Sequence, residues 1–196
     1  HTSPYKRKEH ILRPMDKRDI LKLKKVTHAR IADCQQALKA SAGDFEKAIL
    51  WLRKKGQKIA AKRLDRTTDQ GSVFARTNTD NNFGVIFTLA CETDFVARNQ
   101  LFLELGENLM KIALKNKCTD AQALLNLQVE GSTPQELLTH TSATLGEKLL
   151  LAKYTTLTHP LVSAYVHTGG RIGALVSLNT PPDPNLLQVA KNMAIQ

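Results

Sequence analysis

The chain has 196 residues, enough to bury one large core or two smaller ones, and its 28 Lys+Arg against 18 Asp+Glu give a net charge of +10. The charge is lopsided: 19 Lys/Arg stand against 7 Asp/Glu up to Arg66, and 9 against 11 beyond it. This excludes a uniformly nucleic-acid-like surface, and an aromatic content of 5% offers no stacking platform for RNA.

A basic first third can meet RNA, an anionic membrane or an acidic protein through non-specific electrostatics. Cys34, Cys91 and Cys118 are odd in number and lack C-x-x-C spacing, so neither a disulfide frame nor a zinc site is expected, and a reducing compartment is. No apolar run approaches the roughly 18 residues of a membrane span. The chain opens at His1 without an initiator Met, which fits a removed organellar transit peptide or a shortened chain.

Residues 1–15 are polar and basic, with Pro4 and Pro14, and read as an irregular arm. Asp16 then caps a helix carrying Ile20, Leu21 and Leu23 that ends near Val26-Thr27. A second helix carries Ile31, Cys34, Ala37 and Leu38 and stops before Gly43. Asp44 caps a third, whose face of Ala48, Ile49, Trp51 and Leu52 ends at Gly56. Three short helices over residues 16–55 resemble a ubiquitin-associated (UBA-like) bundle. Residues 56–70, rich in Arg and Lys with weak apolar spacing, read as a helical linker with a solvated face.

An internal repeat follows. Its first copy, within residues 71–130, runs Ser72 to Thr77, turns at Asp80-Asn81-Asn82, returns along Gly84 to Leu89 and enters a helix with Leu101, Leu105, Leu109 and Ile112. The second, within residues 131–196, runs Val162 to His167, turns at Gly169-Gly170, returns along Gly173 to Leu178 and enters a helix with Leu186, Leu187, Ala190 and Met193. Between the copies, Thr133-Pro134-Gln135-Glu136 has capping-box chemistry and opens a helix carrying Leu137, Leu138, Leu145 and Leu149. The expected fold class is α+β: a three-helix bundle, then a duplicated hairpin-and-helix core, with the second copy expected to be incomplete at the C-terminus.

The copies differ most where strand meets helix. Copy one has Cys91-Glu92-Thr93-Asp94-Phe95-Val96; copy two has Asn179-Thr180-Pro181-Pro182-Asp183-Pro184. The scaffold therefore does not require Asp-Phe at that corner, and a strand-to-helix connection is where binding residues tend to sit. The bland alternative makes Phe95 a core residue at a helix entry and Asp94 the helix N-cap.

Thr93-Asp94-Phe95-Val96-Ala97 with Arg98 and Asn99 closely resembles the signature of elongation factor Ts, the nucleotide exchange factor of the GTPase elongation factor Tu. A second patch, Leu23-Lys24-Lys25-Val26-Thr27-His28-Ala29-Arg30-Ile31-Ala32-Asp33-Cys34-Gln35-Gln36-Ala37-Leu38, is similar to the family's N-terminal signature. The family usually has Gly-x-Gly at His28-Ala29-Arg30 and Lys at Gln35. A cation lost there removes a possible charge-assisted hydrogen bond. Tyr165-Val166-His167-Thr168-Gly169-Gly170-Arg171-Ile172-Gly173 resembles a family hairpin, altered around Thr168-Gly169, and Leu145-Gly146-Glu147-Lys148 resembles the family's Ile-Gly-Glu-Asn.

The resemblance implies partner-binding residues Thr93, Asp94, Phe95 and Val96, with His167 reaching the phosphate-binding loop of elongation factor Tu and Arg30 and Gln35 touching its nucleotide-binding domain. It implies a wedge, Phe95, inserted between two helices of the GTPase, so that GDP leaves. No Walker loop, G-x-S-x-G or H-E-x-x-H is present, and His28, His140, His159 and His167 lack ligand spacing, so no cofactor, metal or bond-making chemistry is expected. The divergence at His28 to Gln35, the basic first third and the missing Met favour a mitochondrial matrix protein, with bacterial cytoplasm and plastid as alternatives. Two other roles compete: a ribosome-associated protein held on ribosomal RNA through residues 1–66, and a bundle that binds ubiquitin-like or other helical partners.

Overall fold

The computed structural model describes residues 16–195. The basic arm at residues 1–15 lies outside the described residues. Asp16 caps α1 (Lys17–Thr27) by accepting from Arg18 N, and Asp44 caps α3 (Phe45–Ala61) by accepting from Lys47 N. Between them lies α2 (Ile31–Ala40). The three helices close over Ile20, Leu23, Cys34, Leu38, Ile49 and Leu52. Leu21 and Ile31, expected on this face, are exposed: Leu21 lies one residue off the Ile20 and Leu23 stripe, and Ile31 is the first residue of α2.

Helix α3 does not stop at Gly56. It continues to Ala61, and Gly56 is buried against Thr139 and His140 of α7 (Pro134–Leu145). The glycine is there for a close helix approach rather than for a C-cap. Arg53 and Glu136 form an ion pair across the same contact at 2.7 Å.

The core begins with β1 (Gln70–Thr77) and β2 (Phe83–Cys91), an antiparallel hairpin over the Asn81 turn. A four-residue turn of helix, α4 (Asp94–Ala97), leads into α5 (Gln100–Lys115), and α6 (Ala121–Leu125) precedes α7. The inward face of α5 is Phe102, Leu105, Leu109, Met110 and Ala113. Leu101, placed on that face by its spacing of four, is exposed: the stripe turns one residue later. Each large apolar side chain fully buried there contributes about 1.5–3 kcal/mol.

The segment after α7 departs from expectation. Gly146 takes a left-handed conformation (φ 83°) and ends α7, so Leu149 does not extend that helix. The chain enters β3 (Leu150–Thr158), a strand that pairs antiparallel with β2 and completes a sheet of order β1-β2-β3. Tyr154 of β3 stacks on Phe87, and Phe87 on Phe74, with centroid separations of 6.0 and 5.4 Å. The second hairpin, β4 (Leu161–Val166) with β5 (Gly173–Leu178), forms its own two-stranded sheet and is followed by α8 (Pro184–Ile195). Ala190 and Ala194 are the buried positions of α8, while Met193, expected on that face, is exposed. The fold is α+β, with N-terminal helices and a twice-repeated hairpin-and-helix core.

Candidate partner-binding site

Strand β2 ends with buried Cys91, and the chain turns outward at Glu92 and Thr93. Thr93 is extended (φ −123°, ψ 156°), and its hydroxyl accepts from Val96 N at 3.4 Å. Thr93 is therefore the N-cap of α4, and Asp94, the cap of the bland alternative, is the first helical residue. Asp94 pairs instead with Arg98 one turn on, at 2.7 Å. Asn99 caps α5 by accepting from Leu101 N at 2.9 Å. A single helical turn is thus held between two side-chain caps.

This turn divides its residues. Ala97 is buried and Val96 packs on the core, while Phe95 is 83% exposed. A core role for Phe95 is ruled out by that exposure. An aromatic side chain left in water forgoes about 1.5–3 kcal/mol of burial, and here it stands on a turn whose neighbours are all engaged.

The corner is held from the α7–β3 connection. Glu147 accepts from the Glu92 and Thr93 backbone N–H groups, both at 3.0 Å, and from the Thr93 hydroxyl at 2.5 Å. Glu92 reaches the other way, accepting from Lys148 N at 2.6 Å and from Arg66 at 3.2 Å. Desolvation works to raise the Glu92 carboxyl, but those hydrogen bonds and the Arg66 and Arg63 charges outweigh it and leave its pKa below the usual range. Burial, and then the nearby Glu147 charge, pushes the Cys91 thiol up to about 11. It stays protonated and sits 3.1 Å from the Thr93 carbonyl, to which it donates.

His167 follows β4 and is exposed. Its Nδ1 lies 2.9 Å from the Tyr165 hydroxyl, and its backbone N–H donates to Ile172 at 2.8 Å. The corner and this hairpin tip share a groove of about 480 Å³, bordered by Ala97, Arg98, Val166, Gly169 and Gly170 and floored by β1. Neighbouring residues of β1 hold the two sides: the Ser72 hydroxyl donates to the Ala97 carbonyl at 3.4 Å, and Val73 N donates to the Gly170 carbonyl at 2.7 Å.

Arg30 and Gln35 belong to the bundle. Arg30 is the residue before α2 and pairs with Asp33 at 3.1 Å, while Gln35 is exposed on α2. Neither takes part in the bonds that hold the corner. His28, at the end of α1, is left-handed (φ 57°) without being glycine. Among the described residues no group of three or more His, Cys, Asp or Glu is placed to hold a metal, and no helix is long and apolar enough to cross a membrane. Arg66 was not singled out by sequence, while Glu147 and Tyr165 stood inside stretches that resemble the family but were given no role.

The family described as Elongation factor TS matches residues 92–196, starting at the corner itself. The chain belongs to the elongation factor Ts family. Proteins named Elongation factor Ts from Amoebophilus asiaticus and Christiangramia forsetii are 39% and 40% identical over 178 residues, covering 91% of this chain. One from Rhodopirellula baltica is 39% identical over 158 residues, or 81% of the chain. The chain spans 64% of the length of the first two relatives and 48% of the third. The motif turn stands at the surface of this member of the elongation factor Ts family.

Proposed function

We propose that this chain binds elongation factor Tu and promotes GDP release, with Phe95 as the inserted wedge and Thr93, Asp94 and Val96 shaping its base. One observation carries the reading: Phe95 is 83% exposed on a turn capped at its N-terminus by Thr93 and tied to a distant loop. A rigid aromatic offers large apolar area with few rotatable bonds to freeze. The resemblance supplies the rest. The wedge enters between two helices of the GTPase, moves the groups that hold magnesium and the β-phosphate, and lowers GDP affinity. Coupling is reciprocal, so bound nucleotide weakens the exchange factor in turn, and incoming GTP expels it.

In the same proposal His167 approaches the phosphate-binding loop, and Arg30 and Gln35 contribute a weaker contact from the bundle. The exchange is catalysis by differential binding, with no covalent step. The division into a UBA-like bundle, a linker and two core subdomains, residues 71–130 and 131–196, belongs to this reading. In that division the helical linker is residues 56–70, and α3 runs on into it as far as Ala61. The compartment in this reading is the mitochondrial matrix, with plastid and bacterial cytoplasm as alternatives, the last of which fits the bacterial relatives.

The test is release of labelled GDP from elongation factor Tu, with and without this chain. Strong acceleration that Phe95→Ala abolishes is the expected result. No acceleration overturns the exchange reading and directs the search to the ribosome, where steep salt dependence of RNA binding would mark the competing role.

A further inference from the structure

The backbone N–H groups of Glu92 and Thr93 lie beyond the last rung of the β1–β2 ladder, Gln70 opposite Cys91, and ahead of the first turn of α4. Neither element can satisfy them. One carboxylate does: Glu147 Oε2 accepts both at 3.0 Å, and its Oε1 takes the Thr93 hydroxyl at 2.5 Å. Charge-assisted bonds of this kind are about twice as strong as neutral ones. Thr93 is the cap of the turn that carries Phe95, since its hydroxyl receives Val96 N and its carbonyl receives Ala97 N at 3.2 Å. Whatever fixes Thr93 therefore fixes the direction of Phe95.

Glu147 is itself fixed from behind. It follows left-handed Gly146, and its carbonyl accepts from Arg63 at 3.1 Å and from the Ser142 hydroxyl. The Arg63 guanidinium comes from the turn after α3, so the stretch that leaves the bundle braces the loop that braces the wedge. Glu92 crosses in the opposite direction to Lys148 N and Arg66, closing a two-way clamp.

We propose that Glu147 is a positioning residue that pre-organises the Phe95 turn for insertion into its GTPase partner. The proposal rests on the exchange reading above and adds a residue to it. Pre-organisation acts on affinity: a protein whose competent orientation is only fractionally populated binds more weakly by that fraction. Glu147→Ala releases three donors at an exposed corner, and the hydrophobic core beneath is untouched. The effect falls on the turn.

Two measurements on the 196-residue chain decide it. The first is the concentration dependence of accelerated GDP release from elongation factor Tu, read for the unsubstituted chain, Glu147→Ala and Glu147→Gln. Glu147→Ala is expected to raise the concentration needed for half-maximal acceleration about tenfold, as when the competent orientation is populated about one time in ten, with the limiting rate kept. Glu147→Gln, which keeps a carbonyl oxygen for the backbone donors, is expected to restore part of the loss.

The second measurement is amide hydrogen exchange, which needs no partner. Glu147→Ala is expected to speed exchange at Val96 and Ala97 about tenfold or more, leaving Leu105 to Leu109 of α5 unchanged. Unaltered exchange at Val96 and Ala97 overturns the positioning role, as does half-maximal acceleration by Glu147→Ala at the concentration the unsubstituted chain needs. Failure of the unsubstituted chain to accelerate GDP release overturns the exchange reading instead, and hydrogen exchange still decides whether Glu147 holds the turn.

Discussion

The ring of Phe74 on β1 lies over the bare backbone of Gly106 on α5, in the space where a side chain at 106 would begin. Phe74 cannot withdraw, because it is buried and stacked on Phe87. Gly106→Ala gains about 1 kcal/mol of helix propensity but overpacks this contact by about 1–3 kcal/mol. The substitution is expected to destabilise the core on balance, read as a lower denaturant midpoint with an unchanged slope. A midpoint that rises would show that the ring moves freely.

Phe95→Ala is expected to separate stability from binding. An exposed residue on a helical turn contributes within about 0.5 kcal/mol to folding, and alanine is the better helix former. The thermal midpoint should hold while acceleration of GDP release is lost. A large drop in midpoint would mean that the ring is buried in solution.

The contact of the bundle with α7 is expected to depend on pH. His140 is buried there beside Gly56, and desolvation holds its pKa below the usual histidine value, against the attraction of Glu136 and Asp33; His28 is shifted the same way, again by burial first. Since the folded values lie below the unfolded one, the unfolded chain binds these protons first. Stability is complete above the unfolded value of about 6.5 and is lost as the pH falls below it. Urea midpoints at pH 7.5 and 5.5 check this, and His140→Asn should flatten part of the slope.

Arg53→Ala is expected to cost about 1 kcal/mol or less, because its ion pair with Glu136 is partly exposed and screened. The loss should shrink further in high salt. A loss of several kcal/mol would indicate a fully desolvated pair.

Much of the fold is written locally. Asp16, Asp44 and Thr133 announce their helices because a cap and its N–H partners lie within three residues. The Asn81 and Gly169-Gly170 turns announce the hairpins for the same reason. What escaped reading depends on distant partners. Strand β3 was hidden because Leu145 and Leu149 keep helical spacing across Gly146, and only pairing with β2 makes the later segment a strand. Gly56 looked like a helix end until α7 supplied the reason for it. At the candidate site, Thr93 to Val96 were legible as a motif, whereas the clamp was not: Glu147 and Thr93 stand 54 residues apart.

Ser72 and Val73 have a consequence for how the surface comes into being. Each tethers one bank of the groove, and they are adjacent on an eight-residue strand whose pairing with β2 runs Ser72 to Leu89 and Val73 to Thr88. A slip of one residue turns every side chain of a strand to its other face. Such a slip would take the hydroxyl from the corner and the amide from the hairpin tip in one move. Both banks of the groove are thus set together, by the counting of a single strand.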